Sequence, residues 1–120
     1  MSKDTKGYVY LLADNLKENI YKIGVTRGSI ERRIKKLQTG NAGEIYMCRH
    51  FQSKCPFFIE KHLHLQFFGN KIKNEWFELS TEDVLGFNKR CEEIEEMYNA
   101  LQNNYFFNKK MNKNNVDEIL

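Results

Sequence analysis

Proline, cysteine and long apolar runs are scarce in this chain of 120 residues. Pro56 is the one proline, and the three cysteines, Cys48, Cys55 and Cys91, show no CxxC spacing. An odd number of cysteines without that spacing argues against a disulfide framework and against a four-thiolate zinc site, so a reducing, intracellular compartment is expected. No run approaches the roughly 20 apolar residues that a membrane span needs. No secretory signal is recognisable either, so a membrane partner is not expected.

Cys48, His50 and Cys55 come nearest to a set of metal ligands in the sequence. Their spacing matches no common zinc motif. Cysteine is also among the residues most often buried, where it packs as a small hydrophobe. Buried strand thiols, rather than metal ligands, are therefore the expected state of these cysteines.

Charge is distributed unevenly along the chain. Residues 1–79 hold 14 Lys and Arg against 8 Asp and Glu, a net charge of +6, whereas residues 80–120 hold 5 against 8, a net charge of −3. A polyanion is expected to bind the basic part. A lysine-rich surface is also common in proteins that bind no nucleic acid, so charge alone leaves the function open.

Three segments in the first half of the chain have the composition of β-strands. Residues 7–12 and 20–25 are rich in Tyr, Val, Ile and Leu, and the polar link between them predicts an antiparallel hairpin. Residues 44–51 alternate in a way that predicts a third strand. A basic loop at 69–74 is followed by a short extended piece at 75–79.

Helices are predicted between and after these strands. Ser29 is a suitable N-cap for the first helix, which carries an apolar stripe. Pro56 suits the first turn of the second helix. Ser80 with Asp83 resembles a capping box and opens a third helix, which is predicted to continue through the apolar positions up to residue 101.

These elements predict an α+β domain with a small three-stranded antiparallel sheet and flanking helices, a β-β-α-β-α core, plus a C-terminal helix. The domain is predicted to occupy residues 1–101. Residues 102–120 are rich in Asn and Lys and poor in apolar residues, apart from a short aromatic cluster. We expect them to form a flexible tail.

Five short motifs follow one another, in order and at plausible spacing, between residues 7 and 79. They are Gly7-Tyr-Val-Tyr-Leu-Leu12, Tyr21-Lys-Ile-Gly24, Arg33 with Leu37 and Thr39-Gly40-Asn41, Ile59-Glu60 with Leu63-His64, and Glu75-Trp-Phe-Glu-Leu79. This set resembles the GIY-YIG nuclease superfamily, and most closely its phage T-five-type DNA-binding-domain branch. The resemblance implies hydrolysis of DNA phosphodiester bonds with one divalent metal ion.

The same resemblance assigns roles to particular residues. Tyr10 matches the tyrosine of the first motif, Arg33 the helix arginine and Glu60 the metal-binding carboxylate. Tyr8 lies on the same strand face as Tyr10 and is a plausible second tyrosine of the site. Arg32 is the alternative to Arg33, because the length of the preceding loop leaves the alignment open by one residue.

Elementary chemistry gives each residue type a use in phosphodiester hydrolysis. One anionic ligand such as Glu60 suits Mg²⁺ (or Mn²⁺), which polarises a phosphoryl oxygen. The planar guanidinium of Arg33 holds phosphate oxygens and stabilises added negative charge. The phenol of Tyr10 acts as a general base if nearby cations such as Lys22 or Arg33 lower its pKa. Tyr10, Arg33, Lys22 and Tyr8 are thus the candidate catalytic residues, and Glu60 is the candidate metal ligand.

DNA is the expected partner of the basic segment, and no small-molecule cofactor is expected. The candidate DNA-binding residues are Lys22, Arg27, Arg32, Lys36, Lys71 and Lys73. The interpretation favoured for Trp76 is a core residue, with a base-stacking platform as the alternative. Binding is expected to be weak, dependent on salt and largely non-specific.

The chain departs from the superfamily pattern at two positions. Lys22 stands where the second motif normally has its tyrosine, and Leu37 stands where many nuclease members carry a histidine. These departures bear on cleavage more than on binding, because hydrolysis requires every group to be placed within a fraction of an ångström. A metal-dependent endonuclease is the first hypothesis. A non-catalytic DNA-binding module of the same fold is the second, and a protein interaction or scaffold domain the third.

Overall fold

The computed structural model describes the backbone of residues 6–119 and the side chains of residues 6–104. The strands are β1 (Gly7–Asp14), β2 (Ile20–Thr26), β3 (Ile45–Ser53), β4 (Lys71–Lys73) and β5 (Trp76–Glu78). The helices are α1 (Ile30–Gln38), α2 (Pro56–Gln66), α3 (Thr81–Leu85) and α4 (Phe87–Ile119), and a single 3₁₀ turn spans Phe68–Asn70. The α+β class agrees with the sequence prediction.

The sheet has five strands, not the three that the sequence predicted. All neighbours are antiparallel, in the order β3-β1-β2-β5-β4. The two strands absent from the predicted sheet form a hairpin around Asn74, whose φ of 54° makes the turn. β5 lies within the extended piece predicted at residues 75–79, whereas β4 lies within the predicted basic loop at 69–74. β4 has only three residues, Lys71, Ile72 and Lys73, too few for their alternation to be recognised, and its basic composition is also typical of a loop.

The strand register divides the sheet into two faces, because residues paired across antiparallel strands point to the same side. Leu12 pairs with Lys22, and Lys22 pairs with Trp76. Trp76 in turn pairs with Lys73 across a local irregularity in β4. The first face therefore carries Tyr10, Leu12, Lys22, Trp76 and Lys73. The second face carries the alternate residues.

The larger hydrophobic core lies on the second face, under α2 and α4. It is formed by buried side chains from the strands and both helices, among them Val9, Leu11, Ile23, Ile59, Leu63, Phe77, Phe87, Cys91 and Ile94. Ile59 and Leu63 are spaced one turn apart, as a helix that buries one face requires. This core fixes α2 against β1 and β2.

A smaller core lies on the first face, under α1. Tyr10, Leu12, Ile30 and Ile45 are buried there, with Ile34 and Leu37 packed against them. These residues come from β1, β3 and α1, so the helix covers that half of the face. The half formed by β2, β5 and β4 has no helix packed over it within the part of the chain that the structure describes.

The predicted helix starts are confirmed. The Ser29 hydroxyl accepts a hydrogen bond from the backbone N–H of Arg32 at 3.1 Å. Pro56 is the first residue of α2. Ser80 and Asp83 form a reciprocal capping box at the start of α3.

The last predicted helix is divided in two. α3 ends at Leu85, and α4 begins at Phe87, with Gly86 between them. The backbone of α4 then continues to Ile119, past the boundary predicted after residue 101. The assignment of residues 102–120 to a flexible tail stays a prediction.

The three cysteines carry free thiols and pack as hydrophobes. Cys55 and Cys91 belong to the larger core, and Cys48 packs against it. Burial raises the pKa of Cys91 to about 12, which makes that thiol unreactive. Only Cys48 lies on a strand, because Cys55 is the N-cap of α2 and Cys91 lies in α4.

Asp14 joins the β1–β2 turn to the loop that precedes β3. Its carboxylate, 2 % exposed, accepts hydrogen bonds from the backbone N–H of Leu16 at 2.9 Å and from Asn41 Nδ2 at 3.0 Å. These two bonds hold the pKa of Asp14 below its ordinary value. Gly43 packs so closely against the carboxylate that a Cβ at that position would overlap it.

Among the described residues, no helix is both long and apolar enough to cross a membrane.

Candidate active site

A pocket of about 500 Å³ opens beside α1, where β5 begins. Its walls come from β1, β2, α1, the first turn of α2 and the residues that follow β2 and precede β5. The lining residues are Tyr10, Lys22, Val25, Thr26, Arg27, Arg33, Leu37, Phe57 and Glu75. The pocket therefore brings together three of the predicted catalytic residues, Tyr10, Lys22 and Arg33.

The position of the pocket follows from the shortness of β5. Lys22 is the last residue of β2 that pairs with β5, and the N–H of Ile23 donates to the Glu75 carbonyl at 3.0 Å. The remaining residues of β2 have no β5 partner, so this edge of the sheet is open. There, His64 Nε2 lies 3.0 Å from the Ile23 carbonyl oxygen. A carbonyl only accepts, so Nε2 is the protonated nitrogen, and α2 is fixed to the open edge through it.

The Tyr10 ring lies across Gly24, its cross-strand partner on the edge of the sheet. A Cβ added at Gly24 would come within 2.6 Å of Tyr10 Oη. Gly24 thus leaves the space that the phenol occupies. The Tyr10 hydroxyl is held at the open edge, between the flank that carries α1 and the flank that carries α2.

Burial dominates the acidity of Tyr10, whose residue is 2 % exposed. Burial raises its pKa above the ordinary value of 10.0, and the negative charges of Glu75 and Glu60 raise it further. The charge of Arg33 and its hydrogen bonding to the hydroxyl lower the pKa, but they do not outweigh burial. Arg33 is the nearby cation that the predicted general-base role requires. The pKa of Tyr10 is nevertheless raised overall, so the phenol carries its proton at neutral pH.

Glu60 approaches this edge from α2. Its side chain is 16 % exposed, and Glu60 Oε2 lies 3.4 Å from His64 Nε2. Burial raises the pKa of the carboxyl group; the His64 side chain lowers it, Glu75 raises it and Lys22 lowers it. Glu60 is not among the residues that line the pocket. Its charge nevertheless affects Tyr10 and is affected by Lys22 and Glu75, so it stands at the margin of the same site.

Glu75 is a member of the site that the sequence did not single out. It precedes β5, and its Oε1 lies 2.8 Å from Lys22 Nζ. Lys22 is 13 % exposed and is therefore an ammonium group held by a carboxylate on the pocket wall. The site thus contains two carboxylates, Glu60 and Glu75. The only signal in the sequence was that Glu75 opens the last of the five motifs.

α1 directs one arginine into the pocket. Arg33 lines it, whereas its neighbour Arg32 does not. Arg27 also lines it, with its guanidinium carbon 5.0 Å from the centre of the Phe57 ring. Phe57, half exposed on α2, is a second wall residue that sequence reasoning missed, since an exposed phenylalanine gives no pattern.

The remaining candidates lie outside this pocket. Tyr8 lines a separate depression at the start of α1, with its ring 6.0 Å from that of His50. Lys36 is exposed on α1 and Lys71 on β4. Lys73 lines a third pocket, on the uncovered half of the first face.

The donor set of the site fits a hard divalent cation. Within residues 6–104, no three His, Cys, Asp or Glu side chains converge closely enough to hold a metal ion by themselves. Mg²⁺ requires no such cage, because it retains several waters and takes one or two carboxylates together with substrate oxygens. Glu60 is the primary ligand candidate and Glu75 the second. Lys22, paired with Glu75, adds a positive charge to the pocket wall.

The fold and the site define the class of domain. A small α+β unit places a guanidinium, a phenol and two carboxylates around an open pocket, and further cations surround it, which is typical of a nuclease-like or DNA-binding module. The family model of the T5orf172 domain matches residues 7–92. The chain belongs to this family, a phage-type domain associated with nuclease-like and DNA-binding proteins. No curated protein and no solved structure matched the chain in the corresponding comparisons.

Proposed function

We propose that this domain is a metal-dependent DNA endonuclease of the GIY-YIG type, which hydrolyses phosphodiester bonds with one Mg²⁺ or Mn²⁺ ion. The observation that carries the proposal is the meeting of Tyr10, Arg33 and Lys22 in one pocket, with Glu75 on its wall and Glu60 near enough to raise the pKa of Tyr10. Family membership supports a nuclease-like or DNA-binding role at a coarser level.

The protein's own residues supply binding and charge stabilisation. Arg33 holds two phosphate oxygens in a planar fork and stabilises the charge that accumulates on them in the transition state. Lys22 supplies a second positive charge on the pocket wall. Arg27, beside Phe57, extends the cationic surface along the DNA backbone.

Tyr10 is placed to move a proton at its hydroxyl oxygen. In its protonated form it donates a hydrogen bond to a phosphate oxygen, and in its deprotonated form it accepts a proton from the attacking water. The hydrolysis breaks a P–O bond and forms another with the water oxygen, and the departing oxygen takes up a proton. Because burial raises the pKa of Tyr10, the deprotonated form is a minor one at neutral pH.

Glu60, with Glu75 as second carboxylate, would hold the divalent ion, which would supply polarisation of a phosphoryl oxygen. Glu60 is suited to that task because a second carboxylate, Glu75, lies near enough to raise its pKa, and a cation relieves the repulsion between two such groups.

A second candidate function is a DNA-binding module of the same fold without turnover. Two observations favour it: Lys22 replaces the tyrosine of the second motif, and the pKa of Tyr10 is raised rather than lowered. Both reduce catalysis and leave the binding of phosphate intact.

A nicking assay separates the two functions. Purified wild-type chain is incubated with supercoiled plasmid and Mg²⁺ or Mn²⁺, beside Glu60→Gln and the exposed control Glu92→Gln. A nuclease gives nicking with wild type and the control, none with Glu60→Gln, and a gel shift with all three. A shift without nicking by any chain supports the binding module. Equal nicking by all three chains points to a contaminant.

A further inference from the structure

Beside the candidate active site lies an aromatic side chain that the proposed hydrolysis does not use. Trp76 lies on the first face of the sheet, next to Lys22 on β2 and beside Lys73 on β4. A pocket of about 410 Å³ borders it, lined by Lys17, Ile20, Ile72, Lys73, Asn74 and Trp76. This is the half of the face over which no helix packs among the described residues.

Cations surround the indole ring. Lys17 Nζ lies 5.2 Å from the ring centre and Lys22 Nζ lies 5.8 Å from it. Lys22 is already paired with Glu75, whereas Lys17 and Lys73 form no ion pair within residues 6–104. Glu78, two residues after Trp76 on β5, is an acidic residue on the same face and marks the limit of this group of lysines.

This arrangement fits an unpaired nucleotide. Proteins that bind single strands combine aromatic rings, on which bases stack, with lysines and arginines that follow the phosphates. A base on the Trp76 ring would displace the Lys17 ammonium from the indole, and that ammonium would pair with a phosphate. A base within a duplex is paired and stacked, so it presents no free face to a ring that lies on a sheet.

We propose that Trp76, with Lys17 and Lys73, forms a stacking site for an unpaired base of DNA whose backbone continues past Lys22 into the catalytic pocket. This site rests on the proposed function and specifies its substrate class, namely DNA with single-stranded or displaced nucleotides beside the bond to be cut. Lys22 joins the two regions, because it lies over Trp76 and also lines the catalytic pocket.

The direct test uses the fluorescence of Trp76, the single tryptophan of the chain. Full-length protein in EDTA is titrated with oligothymidylate of about ten nucleotides, with an abasic strand that has the same number of phosphates, and with a duplex of equal length. Stacking predicts that oligothymidylate quenches the Trp76 fluorescence strongly and that the abasic strand and the duplex quench it little at equal occupancy. Occupancy is measured by the anisotropy of labelled probes. Equal quenching by all three probes, or none by oligothymidylate, overturns the proposal.

Variants provide a second readout. Trp76→Ala is expected to weaken oligothymidylate binding by about fivefold or more and to leave the abasic strand unaffected; Trp76→Phe recovers part of the loss. Tyr46→Ala, an exposed aromatic on β3, is the matched control and changes neither. Because the tryptophan substitution affects packing, the exposed pair Lys17→Ala/Lys73→Ala is tested against Lys61→Ala/Lys89→Ala, which removes the same charge elsewhere. Loss with the first pair and not with the second supports the site, and equal loss contradicts it.

The outcome is independent of catalysis. Quenching without nicking in the plasmid assay would leave the stacking site in place and remove the nuclease proposal. Nicking without selective quenching would remove the stacking site and leave the nuclease proposal in place.

Discussion

Tyr10 Oη lies over the backbone of Gly24, so close that a Cβ added to Gly24 would be only 2.6 Å from it. The two residues are cross-strand partners in the opening hairpin. The glycine of the second motif is therefore explained by space: it lets a buried phenol reach the open edge of β2.

Gly24→Ala is expected to displace the Tyr10 hydroxyl and to reduce nicking strongly. An added methyl group in a packed site costs about 1–3 kcal/mol in stability, so urea unfolding is measured in parallel. Gly28→Ala is the control, because a Cβ there meets only Thr26 Oγ1 at an ordinary 3.7 Å. Full nicking by a folded Gly24→Ala protein would show that the position of Tyr10 is unimportant.

The pH dependence of nicking tests the role of Tyr10. Because its pKa is raised above 10.0, a base mechanism predicts that the rate increases about tenfold per pH unit through the neutral range. Tyr10→Phe should remove this slope and lower the rate at alkaline pH. Tyr46→Phe, on the exposed part of β3, should retain it. A flat profile in the wild type would mean that Tyr10 only donates a hydrogen bond.

Arg33 and Arg32 offer a comparison between neighbouring residues. Arg33→Ala is expected to lower the nicking rate about 10²–10³-fold, which is typical of removing one group that stabilises transition-state charge. Arg32→Ala removes the same charge one residue away, outside the pocket, so it should weaken DNA binding slightly and keep the rate at saturating DNA. Single-turnover kinetics separates binding from cleavage. Equal effects on cleavage would mean that α1 supplies only general positive charge.

The sequence could predict the opening hairpin and the first two helices, because each depends on a local signal. It could also predict that Tyr10 and Arg33 lie in the same pocket. Alternating apolar residues define β1 and β2, and Ser29 caps α1. The resemblance between motifs then selects Tyr10 and Arg33 from several tyrosines and arginines. Trp76 was interpreted as core, whereas it is only partly buried and borders an open pocket.

The rest of the site depends on where short elements end, and no local pattern records that. β4 has only three residues, too few to give a recognisable strand pattern. Glu75 enters the site because it directly precedes β5, where its carboxylate reaches Lys22 on the neighbouring strand β2. Glu60 is on the opposite flank from Arg33, and its influence on Tyr10 depends on the open edge at Gly24.

Glu60→Gln is expected to stabilise the fold while it abolishes nicking. The folded-state pKa of Glu60 is raised above its ordinary value of 4.5, so between these two values the folded chain binds more protons than the unfolded chain. The stability of the wild type therefore falls as pH rises through this window. Glutamine carries no charge and avoids that loss. Urea unfolding should show Glu60→Gln more stable than wild type at neutral pH and equal to it below pH 4.5. A less stable variant at neutral pH would mean that the contact with His64 outweighs burial.

Asp14→Asn should have the opposite dependence on pH. The hydrogen bonds from Asn41 and Leu16 depress the folded-state pKa of Asp14 below 3.8, so the unfolded chain binds the proton more readily. The carboxylate then contributes stability at any pH above the unfolded value, and this contribution is lost as pH falls through the folded value. In the variant, the new amide group faces donors, so about 1.5–3 kcal/mol should be lost at neutral pH.

Urea unfolding of the wild type, Asp14→Asn and the exposed control Glu44→Gln measures this difference at several pH values. The gap between wild type and Asp14→Asn should close as the pH falls below 3.8, because a protonated carboxyl group is no better an acceptor than an amide. Since Asp14 lies at the end of β1 away from the pocket, nicking by the folded variant should persist. A gap that stays constant with pH would assign the stability to shape alone, with no contribution from the charge.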